Sequence, residues 1–426
     1  MWKSLLSQLP FVRPIEKPLA WAQLSHQKVR LAVAITGVGF ANILMFTMMG
    51  LQALLTDGAT TLHENLKGDL FLMSSFSPTL RIPIAIPRAY LLQADAVEGV
   101  NMAMPMYVSN ANWTDPSQLK SPSERLSTND DEPEGPSAQT SAQEEPSGDI
   151  FGNQVRIVAF NPRQPIFNIP EVEEQRDRLS AANSVLFDRL SQPSLGEIPA
   201  LLSTSDSVQT LMGGRRVRVV GLFSLGSTVI EKGTVVMSDW NYTQWFGPQV
   251  LEQVSLGILT LEPGSNVEAV QATLRDYLPD TVDVLTMEEL LAKERKFTDE
   301  DPGGIIFGFG SMVGFVVGTV IVYQVLYTDI SDHLPEYATL KAMGYSDGAL
   351  LRVVLLEAVL LAILGFIPGF VTSLGLYQVL TVMTRIPLTM KAAVAIQVFM
   401  LTLVMCNLSG AIAMRRLQSA DPADVF

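Results

Sequence analysis

The chain has few of the residues that hold metals, disulfides or catalytic centres. Its 426 residues include one cysteine and three histidines. The single Cys406 excludes an intrachain disulfide framework. His63-Glu64 begins like a zinc-protease H-E-x-x-H motif, but Lys67 stands where the second histidine would be. We therefore expect His63 to be a surface residue, and the sequence predicts no metal site and no cofactor.

Motifs of the common hydrolytic and nucleotide-binding sites are also missing. The sequence contains no G-x-S-x-G nucleophile elbow and no G-x-x-x-x-G-K-[ST] phosphate loop. We predict that the chain has no catalytic residues, is not an enzyme, and does not bind ATP through such a loop.

Charged residues are scarce, at 17%, and they are distributed unevenly. The net charge is −14, yet residues 1–30 carry five basic groups and one acidic group, a net +4. Residues 305–426 carry six basic and seven acidic groups, a net −1, so the middle of the chain carries the remaining −17. A basic start, an acidic middle and a nearly neutral apolar end are typical of a membrane protein.

Four apolar runs are long enough to cross the roughly 30 Å hydrocarbon core as helices. They are Leu31–Leu55, Ile305–Thr328, Val353–Met383 and Ala392–Met414. Only the third contains an acid, Glu357. The first lacks a cleavage pattern, so we interpret it as a retained signal anchor. Pro368 predicts a kink in the third run.

The flanking charges predict the orientation. Basic groups before the first span, and Arg415 and Arg416 after the fourth, favour cytoplasmic termini. Arg385 and Lys391 oppose this assignment. The predicted segments are a cytoplasmic amphipathic stretch 1–30, an external domain 56–304, a cytoplasmic loop 329–352, an external turn 384–391 and a cytoplasmic tail 415–426.

The external segment is long enough for a folded domain. Strands are predicted at Asp69–Met73, Val155–Phe160, Val217–Phe223, Thr234–Met237 and Leu256–Leu261. A helix at Asn266–Leu278 and a strand at Val282–Leu285 follow, which indicates an α+β domain. Residues 115–149 are rich in Ser, Pro and acidic residues, so we predict a disordered insertion there.

Two features of the spans are candidate functional sites. Gly310, Gly314 and Gly318 recur every four residues and would form one face where two helix backbones approach closely, either within the chain or across a dimer. The alternative is that glycine is simply common in membrane helices. Glu357 is a candidate functional acid, although a hydrated position at the membrane boundary is an equal alternative.

The segment Ser331–Ser346 predicts a short amphipathic helix on the cytoplasmic side. Pro335 suits its first turn and Gly344 its end. Tyr337, Leu340 and Met343 lie roughly on one side of it. Such a helix either docks into a groove of another protein or lies in the membrane interface.

Residues Glu336 to Tyr345, EYATLKAMGY, resemble the E-[IY]-[AG]-x-[LR]-[KR]-A-[LM]-G stretch of the MacB/FtsX-like permeases of ABC transporters. Leu355–Leu360, the tail Asp421–Phe426 and Leu19–Leu24 resemble corresponding parts of the DevC-type subunits of cyanobacterial exporters. The order of one span, a large external domain and three spans is also similar. The resemblance covers nearly the whole chain except the insertion.

The resemblance implies an integral membrane α-helical protein with a MacB/FtsX-like periplasmic α+β domain, in the bacterial inner membrane. It implies a separate ABC ATPase, a membrane-fusion adaptor, an outer-membrane TolC-like channel and a homodimer as partners, and no nucleic acid. The residues that would contact the ATPase are Glu336, Tyr337, Leu340, Lys341, Met343 and Gly344. The implied function is mechanotransmission in export, with glycolipid export suggested by DevC.

Two other functions remain open from the sequence. An FtsX-like signalling subunit that regulates a periplasmic partner, such as a cell-wall hydrolase, would have the same architecture. An intramembrane or periplasmic enzyme is disfavoured because no catalytic constellation is present.

Overall fold

The computed structural model describes residues 28–119, 152–228, 231–335, 346–384 and 388–418, together with residues 339 and 343. The chain divides into two compact units. We call residues 1–53 with 302–426 the helical unit, and residues 54–301 the α/β unit.

The helices alternate with strands in the α/β unit and follow one another in the helical unit. In chain order they are α1 (Lys28–Glu64), α2 (Arg88–Asp95), α3 (Pro170–Gln175), α4 (Ile198–Thr204), α5 (Asp239–Phe246), α6 (Val267–Tyr277), α7 (Met287–Glu300), α8 (Pro302–Asp332), α9 (Asp347–Thr384) and α10 (Ala392–Gln418).

The strands all belong to the α/β unit. They are β1 (Leu70–Ser74), β2 (Ile86–Pro87), β3 (Val100–Thr114), β4 (Gln154–Phe160), β5 (Ser184–Asp188), β6 (Val208–Met212), β7 (Arg215–Phe223), β8 (Gly233–Ser238), β9 (Gln253–Val254), β10 (Leu256–Leu261) and β11 (Val282–Thr286).

Within the described ranges, four helices are long and apolar enough to cross a membrane: α1, α8, α9 and α10. The four apolar runs of the sequence lie inside them. Helix α9 continues through Pro368, and the kink predicted there stays a prediction. Helix α1 runs without a break from Lys28 to Glu64, so its first part belongs to the helical unit and its end to the α/β unit.

Polar side chains join the helices of the helical unit. The Thr402 hydroxyl of α10 donates to Asn42 Oδ1 of α1 at 2.6 Å, and the Ser409 hydroxyl of α10 donates to the Thr319 carbonyl of α8 at 2.7 Å. Such contacts fix how the helices align along one another, because apolar packing alone does not select a single alignment.

The α/β unit is built on a β-α-β-β-α-β arrangement. Its strands lie in the order β11-β1-β10-β3, all antiparallel, with α2 after β1 and α6 after β10. The predicted unit of β10, α6 and β11 is present. The predicted fold class, four membrane-capable helices plus an α+β domain, is confirmed.

Strands β4 to β8, between β3 and β10 in the chain, form a closed ring of six strands together with β3. Strand β3 pairs with β4, and the ring continues through β8, β5, β7 and β6. Strand β6 then pairs with the far end of β3 at Trp113↔Met212 and Thr114↔Leu211. The 15-residue β3 therefore belongs to both parts of the unit, because its first half pairs with β10.

Both faces of the central sheet are covered, which explains the fully buried strand β1. Leu70 and Leu72 face one apolar cluster, which includes Leu91 of α2 and Leu274 of α6. Phe71 and Met73 face a second cluster, which includes Leu62 of α1 and Leu290 of α7. Adjacent strand residues point to opposite faces, so all four side chains are buried.

The structure describes only the start of the predicted insertion at 115–149. Residues Pro116–Gln118 form a short 3₁₀ helix, capped by Asp115 Oδ1, which accepts a hydrogen bond from the Ser117 amide at 2.9 Å. The predicted disorder of the insertion stays a prediction. Residues 120–149 lie outside the described residues.

Asn241 in α5 generates a prediction about stability. Its buried side chain donates to the carbonyls of Leu179 and Ala181 at 3.1 and 2.9 Å and accepts from the Asn183 amide at 3.0 Å. Asn241→Ala leaves these groups unpaired, so we expect a loss of about 2–3 kcal/mol. Thermal unfolding of the detergent-solubilised protein measures it, with the exposed Asn101→Ala as control. Equal melting temperatures for both variants would contradict the expectation.

Candidate functional site

The glycine face of α8 packs against α1 of the same chain. A methyl group added at Gly310 would lie 2.6 Å from Met48 Sδ, and one added at Gly318 would lie 2.7 Å from Ala41 Cβ and 2.2 Å from Met405 Sδ. A side chain at Gly310 would therefore require the Met48 side chain to move, and one at Gly318 would collide with the Cβ of Ala41. The sequence indicates the face but not the helix that occupies it.

Gly314 lies between these two positions and is buried. A methyl group there would meet Met45 Cγ at 3.2 Å and Leu44 Cβ at 3.3 Å. Gly308, on another side of α8, has nothing within 4 Å. The close approach is therefore confined to the face formed by Gly310, Gly314 and Gly318.

A second close approach joins α1 to α9. A methyl group at Gly365 would lie 2.5 Å from Val38 Cβ, and one at Gly369 would lie 3.0 Å from the Gly39 carbonyl oxygen. In the sequence, these two glycines stand on either side of Pro368. Their spacing of four residues is the signal that indicates a packing face. Helix α1 is thus held closely by two neighbours.

Charged residues gather where α1 begins and α8 ends. Arg30 of α1 lies 2.5 Å from Asp332 Oδ2 and 3.6 Å from Asp329 Oδ1, both of α8. Asp329 is buried and Asp332 is about half exposed. His333 Nε2 lies 3.9 Å from Asp329 Oδ1. A single arginine therefore joins two helices at this end of the unit.

Glu357 of α9 lies at the same place. Its side chain is 1% exposed, and the role predicted for it stays a prediction. Its carboxyl group interacts with that of Asp329, and its Oε2 lacks a hydrogen-bond donor among the described residues. Ionisable side chains thus connect three helices here: α1 through Arg30, α8 through Asp329 and α9 through Glu357. Burying such groups in an apolar bundle is costly, and buried groups of this kind are often functional.

The predicted docking segment is described only in part. The Thr339 hydroxyl donates to the Pro335 carbonyl at 2.8 Å, and the Met343 amide donates to the Thr339 carbonyl at 3.0 Å. This four-residue spacing is helical, and Met343 is 65% exposed. The other predicted contact residues lie outside the described residues: Glu336, Tyr337, Leu340, Lys341 and Gly344. Their role stays a prediction.

His63 is buried, contrary to the expectation of a surface position. Helix α1 extends past the apolar run, and α7 packs beside its end, so Glu294 reaches His63 Nε2 at 3.2 Å. Among the described residues, no group of three His, Cys, Asp or Glu side chains is placed to hold a metal ion.

Comparisons with known proteins give one family match. Residues 308–422 match the family model described as FtsX-like permease C-terminal. A search of curated proteins finds no match.

Solved structures show similarity at low identity. The extracellular domain of the noncanonic ABC-type transporter YknZ from Gram-positive bacteria is 13% identical, with 51% of this chain and 99% of that chain covered and a TM-score of 0.29. The periplasmic region of MacB from Actinobacillus actinomycetemcomitans is 9% identical, with 55% and 94% covered and a TM-score of 0.30.

The Arg30 contacts generate a prediction about the bundle. Arg30→Met leaves the buried Asp329 carboxylate beside Glu357 without its cation, so we expect a lower melting temperature in detergent. Adding Asp329→Asn should restore most of the loss because it removes the uncompensated charge. Asp332→Asn, at an exposed position, should have little effect. Equal melting temperatures for Arg30→Met and the double variant would show that Asp329 does not depend on Arg30.

Proposed function

We propose that the chain is the membrane-spanning permease subunit of an ABC-type export complex, with ATP hydrolysis in a separate subunit. The observation that carries the proposal is the match of residues 308–422 to the FtsX-like permease C-terminal family model. That range includes most of α8, the docking segment and all of α9 and α10. The arrangement of one membrane-capable helix, a large α/β unit and three such helices supports it.

The proposal includes a location and an orientation. The protein would lie in the bacterial inner membrane with both termini cytoplasmic and the α/β unit periplasmic. The basic residues before α1, and Arg415 and Arg416 near the end of α10, support this orientation.

The proposed mechanism is a transmission of motion. ATP binding would bring two ATPase subunits together and displace the segment Glu336–Gly344 of each permease in a homodimer. The segment follows α8 directly, and α8 packs through glycines on α1. Helix α1 continues to Glu64, so a displacement of α1 is carried into the α/β unit. ATP shifts this equilibrium only by its difference in affinity for the two states.

Partners in the periplasm are the finer part of the proposal. A membrane-fusion adaptor and an outer-membrane channel would continue the path for a glycolipid or another amphiphile, as in the DevC-type systems that the sequence resembles. An FtsX-like signalling subunit that controls a cell-wall hydrolase is the second candidate, since the same family match supports it. The chains that co-purify in mild detergent distinguish the two.

The docking segment generates the first test. Leu340→Asp places a charge on the predicted contact face, so we expect the ATPase to be lost from the purified complex. Mass spectrometry of the co-purified chains measures this. Leu201→Asp, at a 41% exposed position of α4, is the control and should keep the ATPase. If no ATPase co-purifies with the unaltered protein, the export proposal fails.

The glycine face generates the second test. Gly314→Leu forces α8 away from Met45, so ATP hydrolysis should continue while the ATP-induced change in hydrogen exchange over residues 54–301 is lost. Gly308→Leu, on an open side of the same helix, is the matched control. An unchanged ATP response in Gly314→Leu would remove the packing of α8 on α1 from the mechanism.

A further inference from the structure

The end of α1 and helix α7 are fastened together by a buried contact inside the α/β unit. His63 Nε2 of α1 lies 3.2 Å from Glu294 Oε1 of α7, and both side chains are 3% exposed. A small cavity beside them is also lined by Leu55 and Asp301. Since the unit runs from residue 54 to 301, this contact lies where the chain enters and leaves it.

Glu294 also holds a third segment of the unit. Its Oε1 accepts from the Leu80 amide at 2.6 Å and its Oε2 accepts from the Thr79 hydroxyl. Burial alone would raise the pKa of Glu294, but the neighbouring His63 ring and the hydrogen bonds from Thr79 and Leu80 hold that pKa below its usual value. The folded protein therefore favours the carboxylate that accepts all these donors.

Helix α7 has no helical continuity with the membrane-capable helix that follows it. It ends at Glu300, Asp301 has an extended backbone with ψ of 148°, and α8 begins at Pro302. A residue before proline is disfavoured in helical geometry. Helix α1, in contrast, reaches His63 without a break. The contact with α1 is thus a direct connection between α7 and a membrane-capable helix.

We infer that His63, Glu294 and Thr79 form a clamp that makes the end of α1, helix α7 and the segment at 79–80 move together. His63 and Glu294 are positioning residues, and this inference rests on the proposed function. Displacement of α1 then reaches the sheet through α7, whose Leu290 packs on the sheet face that contains Phe71, as well as through Leu62 of α1 itself.

The chain offers a matched control on the same two helices. Arg295 Nη2 lies 4.0 Å from Glu64 Oε1, one residue along each helix from the clamp, and both side chains are more than half exposed. An exposed pair of this kind contributes little. The double variant Glu64→Gln/Arg295→Gln therefore alters the charges on both helices without touching the clamp.

The test removes the clamp while keeping apolar packing. His63→Leu/Glu294→Leu replaces the two facing polar side chains with apolar groups, and it also leaves the Leu80 amide and the Thr79 hydroxyl without their acceptor. In the complex with the ATPase, we expect the ATP-induced change in hydrogen-exchange rate over residues 70–82 to fall about tenfold. A change of this size is one that typical coupling free energies between two sites produce. The Glu64→Gln/Arg295→Gln control should respond like the unaltered protein.

A reversible cross-link separates coupling from folding. Cys406 is the only cysteine, so Cys406→Ala gives a background for His63→Cys/Glu294→Cys. Bridging the two thiols with a bis-methanethiosulfonate reagent should restore the ATP response, and reduction should abolish it. Equal responses of the bridged and reduced forms would overturn the clamp.

A second measurement, without ATP, keeps the clamp testable on its own. In the full-length protein, His63→Leu/Glu294→Leu should raise exchange in residues 54–64 and 287–300, and the bridged cysteine variant should not. Unchanged exchange in those residues would overturn the clamp. If the unaltered complex shows no ATP response at all, the proposed function fails, and this measurement alone decides the clamp.

Discussion

The helical unit depends on how closely the backbone of α1 approaches two other helices. Glycines of α8 face one side of α1, and Gly365 and Gly369 of α9 face Val38, Gly39 and Asn42 on it. A helix that is held on two sides in this way has little freedom to shift alone. In a membrane, apolar side chains contact lipid tails as favourably as they contact another helix, so hydrophobicity does not hold helices together. The van der Waals contact between closely packed backbones supplies the attraction instead.

Polar groups then determine which arrangement of these helices is stable. The contact between Thr402 and Asn42 joins α10 to α1, and Arg30 joins α1 to α8. In the α/β unit, Glu294 joins α1 to α7. Each of these contacts includes a residue of α1. Glycines set the distance at which α1 packs, whereas the polar contacts set its register along its neighbours.

The sequence predicts those parts of the fold that depend on local pattern. The four long apolar runs and the β10-α6-β11 unit are examples. Strand β3 is not among the predicted strands, and it contains Pro105, a residue type disfavoured in central strands, which here pairs with Gly257. The surface position predicted for His63 was wrong because its partner, Glu294, is 231 residues away in sequence. Periodicity shows a glycine face, but only the folded chain shows that α1 occupies it.

The closure of the six-strand ring on β3 also has a consequence for where the α/β unit can vary. The β-α-β-β-α-β part contains β1 and β11, the strands nearest to the chain ends of the α/β unit. The ring also contacts the chain at the end of α1, where the Lys67 amide donates to the Ile166 carbonyl and the Asn168 amide donates to the Asn65 carbonyl, both at 2.8 Å. A change in the ring at residues 166–168 therefore also alters the chain where α1 ends. A longer loop in this part of the ring is compatible with the end of α1 only if these hydrogen bonds are kept.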